Sequence, residues 1–278
     1  MVSFYAWAAT LVTGATALAL PITNGRIDLK EMKERALPNS NVVLAVVADS
    51  TCGPIGATLN ATTTAGPNGA QSWLSCGLNS TSGWNPPHFT LKDIIVKDLD
   101  AAANMTNSPF ARCQPYFPYF KKYGAMYNVP PIMMASFANQ ESGCDPQNHG
   151  GAGEIGMMQI TPDKCGGAPN GDCYNLDYNI GTATKYFADQ YIQYNKNLLL
   201  ALGQYNGWYK GMTVQAATAA ANTPCCHCQQ NLDYVHQMLN GWLQGVDVYA
   251  TGMGTYFNLK VCDQPTSSAA ATPAPTRR

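Results

Sequence analysis

The sequence predicts a mainly α fold with an irregular, disulfide-stabilised N-terminal extension, and three observations carry that expectation. Between residues 110 and 263 apolar side chains recur every three to four positions in helix-length blocks. Alternating runs of strand type are scarce, and Gly, Pro and Asn punctuate the blocks. Before residue 110 the period is lost: Thr58 to Gly69 is a run of small and polar residues, and Gly83 to Pro87 is a turn cluster.

The helical elements follow in order. Phe117, Phe120, Tyr123 or Gly124, and Tyr127 form one apolar stripe, predicting a helix over 116–127. Pro130-Pro131 opens the next, since proline suits the first helical position; Ile132, Met133, Ala135, Ser136 and Phe137 carry it to Glu141 before Gly143 breaks it. Ile180, Ala183, Phe187 and Tyr191 or Ile192 predict a helix over 179–194. Two short ones are expected over 198–205 and 213–221. Leu232, Val235, Leu239, Trp242, Leu243 and Val246 predict a long closing helix over 232–249.

Four regions are expected: a signal peptide over 1–19, an N-terminal extension or pro-region over 20–109, a helical catalytic domain over 110–263, and a flexible Pro/Ser/Thr/Ala tail over 264–278. The first twenty residues carry no charge, and Ala17-Leu18-Ala19 gives a small-x-small cleavage pattern. Ser3, Thr10, Thr13, Gly14 and Thr16 interrupt them too often for a membrane anchor, so no membrane attachment is expected after cleavage. The 20–109 region reads as a spacer, a small disulfide-held module or a removable pro-region. The tail is too poor in apolar residues to fold.

Composition narrows the function. With 16 basic and 17 acidic residues the net charge is −1, which offers no broad basic surface for nucleic acid. Ten cysteines, all beyond the leader, fit an oxidising compartment and up to five disulfides, hence a secreted, extracellular protein. Sequons at Asn60, Asn79 and Asn104 suit glycosylation. Cys225-Cys226-His227-Cys228 resembles a zinc ligand set, but disulfides are the expected use of those sulfurs, with no metal and no organic cofactor. A monomer is expected.

Glu141 is the ionisable residue that needs explaining, because it closes the apolar run Ala135-Ser136-Phe137-Ala138. A carboxyl held against apolar walls stays protonated near neutral pH and can act as a general acid. Two further blocks lie downstream: Gly153-Glu154-Ile155-Gly156-Met157-Met158-Gln159-Ile160-Thr161-Pro162, and Ala201-Leu202-Gly203-Gln204-Tyr205-Asn206-Gly207-Trp208. Eighteen positions separate Glu141 from Gln159.

Together with Glu141-Ser142-Gly143, these blocks resemble the signatures of the soluble lytic transglycosylase family and its goose-type lysozyme relatives, in the family's order and over residues 113 to 250. Asn179-Ile180-Gly181 resembles the start of the family's next helix. The resemblance implies a lysozyme-like helical domain that cleaves β-1,4 bonds of an N-acetylated glycan, with peptidoglycan as the expected substrate and chitin as the rival. By match, Glu141 is the single general acid/base. Ser142 orients it, Met158 and Gln159 line the sugar cleft, with packing in the core as the alternative for both, and Tyr205 and Asn206 sit near the acid. The chain departs from the family where Asn206 runs directly into Gly207. Trp208 and Tyr209 are candidates to stack on sugars or to pack in the core. Glu154 is the candidate second carboxylate, ahead of Asp145 and Asp163; without one the chemistry is substrate-assisted, the sugar's acetamido group trapping the cation. A lysozyme-type or chitinase-type hydrolase, or a glycan-binding protein without turnover, are the alternative readings.

Overall fold

The computed structural model of the chain describes residues 44–45, 50–151 and 153–263. The expected signal peptide and C-terminal tail lie outside the described residues.

The described chain is mainly helical, with one two-stranded antiparallel sheet, β1 (Ala65–Gly66) and β2 (Gly69–Ala70). The helices are α1 (Gln71–Leu74), α2 (Leu99–Ala103), α3 (Phe117–Tyr127), α4 (Pro131–Ser142), α5 (Leu176–Gln193), α6 (Leu198–Tyr205), α7 (Val214–Ala217) and α8 (Tyr234–His236). The core grows from α3 packed on α4 and α5. Phe120, Phe137 and Phe187 are fully buried there, and the ring centroids of Phe137 and Phe187 lie 5.2 Å apart.

Local chemistry sets the boundaries. Asn128 in the left-handed region ends α3, where a side chain on Gly124 would run into the Val129 carbonyl at 2.6 Å. Pro131 opens α4 at a position whose N–H has no helical partner, and left-handed Gly143 closes it. Asn175 and Asn197 cap α5 and α6 by accepting backbone N–H bonds through their side chains.

Three expectations are corrected. The predicted 232–249 helix is α8 continuing as a π turn (Gln237–Gly241) and a 3₁₀ turn (Trp242–Gln244), and it stops at left-handed Gly245. Its widened turn accommodates buried Asn240, whose side chain donates to the Gly69 carbonyl, accepts from the Asn68 amide and meets His236 Nδ1 one turn earlier. The helix predicted over 213–221 is a single turn, α7, capped by Thr213. The spacer expected before residue 110 is, over its described residues, part of the common core: Trp73, Leu74, Leu78, Trp84 and Phe89 are buried in the same cluster as α3 to α8. The Trp84 amide bonds the Met212 carbonyl, and Trp84 packs edge-on against Trp208 at 4.9 Å. These contacts join positions far apart in sequence and leave no period to read.

All ten cysteines are paired, as Cys52–Cys76, Cys113–Cys144, Cys165–Cys173, Cys225–Cys228 and Cys226–Cys262. The sulfurs of the Cys-Cys-His-Cys run are therefore in disulfides. No helix among the described residues is long and apolar enough to cross a membrane.

Candidate active site

Helix α4 is buried on every side from Ile132 to Ala138 and leaves the core only in its last turn, which delivers Glu141 to a cleft. Three cavities, of about 690, 460 and 380 Å³, share Glu141 as a lining residue. The largest is also lined by Glu154, Gln159, Tyr186, Tyr205 and Asn206. The second is lined by Asn206, Asp233, Tyr234 and Tyr249.

Glu141 receives one hydrogen bond from a side chain, from Tyr234 Oη to Oε1 at 2.8 Å. Burial pushes its carboxyl up from an ordinary 4.5 to about 7; the Tyr234 bond opposes the rise and the Glu154 charge adds to it. The surrounding phenols stay protonated. Burial first, then the Glu141 charge, holds Tyr205 and Tyr234 well above their ordinary range. The acid thus stands among neutral O–H groups, with Tyr205 and Tyr234 enclosing it and Glu154 the acidic group that acts on it.

The second block is a tight loop built for this wall. Asn179 is fully buried; its Oδ1 accepts from the Met158 amide at 2.9 Å, and its Nδ2 donates to the Ile155 and Cys173 carbonyls. Gly156 is required: its φ is +75°, and a side chain there would meet Asn179 Nδ2 at 2.6 Å. Gln159 takes a left-handed φ of 48° and donates from Nε2 to the Gly156 carbonyl at 2.8 Å. It lines the largest cavity, as the resemblance implies. Met158 does not line the cleft, and this is a correction. Its side chain is 0% exposed, and its contribution is the backbone carbonyl, which accepts from Tyr205 Oη at 2.9 Å.

Ser142 ties the end of α4 to this loop. Its Oγ lies 2.8 Å from the Met157 carbonyl and 3.0 Å from that of Ala138, and it accepts from the Asp145 amide. Those bonds give it an orienting role, although it borders the smallest cavity. Tyr205 stacks on Phe137 at 4.2 Å and fixes the cleft face of α6. Asn206 follows as the C-cap of α6 and accepts from the Asn231 amide at 2.8 Å; Gly207, at φ +75°, makes the turn. Trp208 is core, donating from Nε1 to the Asn231 carbonyl, while Tyr209 is exposed and borders none of these three cavities.

Sequence reasoning missed Tyr234, Tyr249, Tyr186 and Asp233. Asp233 is buried and accepts from Gln71 Nε2 at 2.6 Å and from the amides of Thr255, Tyr256 and Phe257 at 2.8 to 3.0 Å. It anchors the residue before Tyr234 to both the early segment and the C-terminal loop. The one available signal was an acidic residue immediately ahead of a strongly apolar helix.

A helix that drops a neutral-range carboxyl into a tyrosine-lined cleft makes that carboxyl a candidate general acid. Residues 118–219 match the family described as the transglycosylase SLT domain. The match contains Glu141, Gln159, Tyr205 and Asn206 and stops before Asp233, Tyr234 and Tyr249. Among solved structures the chain is similar to a 70-kDa soluble lytic transglycosylase in complex with bulgecin A, at 26% identity over 34% of this chain and 17% of that one, TM-score 0.32. It is also similar to an inactive mutant of the lytic transglycosylase Slt from Pseudomonas aeruginosa, at 20% identity over 32% and 16%, TM-score 0.30. A third is the 70-kDa soluble lytic transglycosylase of Escherichia coli, at 21% identity over 50% and 25%, TM-score 0.35. The chain thus spans a quarter or less of each of these proteins.

Proposed function

We propose that the protein is a secreted enzyme that cleaves β-1,4 bonds of peptidoglycan by lytic transglycosylation, with Glu141 as its only acid/base. The observation that carries this reading is a carboxyl poised at about 7 where three cavities meet, inside the SLT match. Protonated Glu141 gives its proton to the leaving glycosidic oxygen. The sugar's acetamido oxygen closes on the anomeric carbon as that bond breaks, and the Glu141 carboxylate then takes the proton of the same sugar's C6 hydroxyl as it attacks. Tyr234 donates to the carboxylate between the two steps. Five disulfides support export to an oxidising compartment.

A hydrolytic reading rests on Glu154, which lines the same cavity and acts on the charge of Glu141. The test is product analysis of a peptidoglycan digest in heavy-oxygen water. Unlabelled anhydro ends, one water lighter than hydrolysed ends, are expected, because the tethered hydroxyl has an effective concentration that water cannot reach. Complete labelling of the new ends would overturn transglycosylation and make Glu154 the group that positions water.

A further inference from the structure

The smallest of the three cavities, about 380 Å³, is lined by Arg112, Gln140, Glu141, Trp242, Asp247 and Tyr249 among others. Arg112 and the last three of these lie outside the SLT match. Tyr249 is 63% exposed, an unusual state for a large ring beside an acid. Its orientation is nonetheless fixed. Gln140 Nε2 donates to its Oη at 2.9 Å, Gln140 Oε1 accepts from Trp242 Nε1, and the Trp242 ring meets it edge-on at 5.6 Å. Asp247 Oδ1 accepts from the Tyr249 and Ala250 amides, fixing the turn from below. A held, exposed aromatic face is the surface on which the C–H face of a pyranose packs.

Arg112 supplies the second feature. It lies in the 3₁₀ turn Ala111–Tyr116, and its neighbour Cys113 is bridged to Cys144, just past the helix that carries Glu141. The disulfide registers the guanidinium to the acid. A side chain on Gly143 would sit 3.6 Å from Arg112 Nη1. Among the described residues Arg112 forms no ion pair, and the Asp247 carboxylate in the same cavity lies beyond ion-pair distance of it. An unpaired guanidinium presents a planar fork of donors that matches a carboxylate.

We propose that this cavity is a subsite for an acidic N-acetylated sugar, in which Tyr249 takes the ring and Arg112 takes a carboxylate carried by the sugar's substituent. It rests on the glycan-cleaving reading above and gives that site a reason to prefer the acidic wall polymer over neutral chitin. The experiment compares kcat/KM of the full chain on a peptidoglycan-derived oligosaccharide, on the same oligosaccharide with its carboxylates amidated, and on a chitooligosaccharide of equal length. Wild type should prefer the unmodified acidic substrate by about 10- to 100-fold over its amidated form, the worth of one charge-assisted hydrogen bond. Arg112→Gln should erase that ratio, mainly through KM, and Arg112→Lys should restore part of it. Tyr249→Ala should weaken every substrate, mainly through KM, and Tyr249→Phe, which keeps the ring but loses the bond from Gln140, should recover part of that loss.

A ratio that survives Arg112→Gln, or amidation that leaves wild type unaffected, would overturn the proposal. If wild type cuts none of the three substrates, the enzymatic reading falls. The subsite is then judged by calorimetry of the acidic and amidated oligosaccharides on wild type and Arg112→Gln, where equal affinities overturn it too.

Discussion

Replacing Glu141 by glutamine should stabilise the protein at alkaline pH and leave it unchanged in acid. In the native state the carboxyl titrates near 7 rather than at its ordinary 4.5. Below both values the native and unfolded states are each protonated, and the residue makes no difference between them. Between them the native state holds a proton that the unfolded state has released, so stability falls as pH rises. Above about 7 both states are ionised and the full penalty is in force.

At about 1.36 kcal/mol per pH unit, the gap amounts to about 3 kcal/mol, an upper figure because one side of the carboxyl faces the cleft. Glutamine is nearly isosteric, cannot ionise, and keeps an oxygen to accept from Tyr234. The variant should therefore match wild type at pH 4 and exceed it at pH 8.5 by up to about 3 kcal/mol, or roughly 6 to 12 °C in Tm for a domain of this size. Calorimetry with the disulfides intact, at pH 4, 6 and 8.5, gives the measurement. A difference between the two proteins that stays constant across that range would refute the burial argument for Glu141, whatever the variant's activity.

Because the acid must be protonated to act, kcat/KM should fall above pH 7, and Tyr234→Phe should move that limb to higher pH, since the lost hydrogen bond favoured the carboxylate. Gly156→Ala combines a forbidden φ with a 2.6 Å contact on Asn179 and should cost about 2 to 4 kcal/mol in denaturant titrations. Asp233→Asn puts a donor among four inward-facing donors, and a loss of roughly 2 to 4 kcal/mol is expected, with a residual activity at low temperature that tracks the folded fraction.

What the sequence displayed was local. Periodicity located α3, α4, α5 and α6, whose caps include a proline, one glycine and four asparagines close in the chain. Three short blocks marked the acid and two walls, and the structure explains two of their glycines by steric contact: Gly156 against Asn179, and Gly203, where a side chain would strike Trp84 at 2.3 Å. Tyr234 lay hidden because a phenol in an apolar helix is indistinguishable from core until its partner, 93 positions away, is in place. Met158 was misassigned for the converse reason: its motif belongs to the cleft, but the cleft uses its carbonyl. The early segment was misread because Trp73, Trp84 and Phe89 are buried by turns and a two-stranded ribbon, which impose no spacing.

The lining around Glu141 has two sources in the chain. The SLT segment contributes the stacked pair Phe137 and Tyr205 and the Gln159 loop, while Tyr234 and Tyr249 come from beyond it. Tyr234 is held through its neighbour Asp233, and Asp233 is held in turn by Gln71 of the early segment and by the loop after Gly254, where a side chain would strike the carboxylate at 2.4 Å. A hydrogen-bonded path thus runs from α1, before the SLT segment begins, to the residue beside the acid's own donor. Segment 50–109 therefore acts on the acid's environment while touching no cavity that borders it except through Pro109. That dependence argues against its release as a pro-region, since cutting it away would expose Trp73 and Phe89 and free Asp233 from Gln71, loosening the wall on which Tyr234 stands.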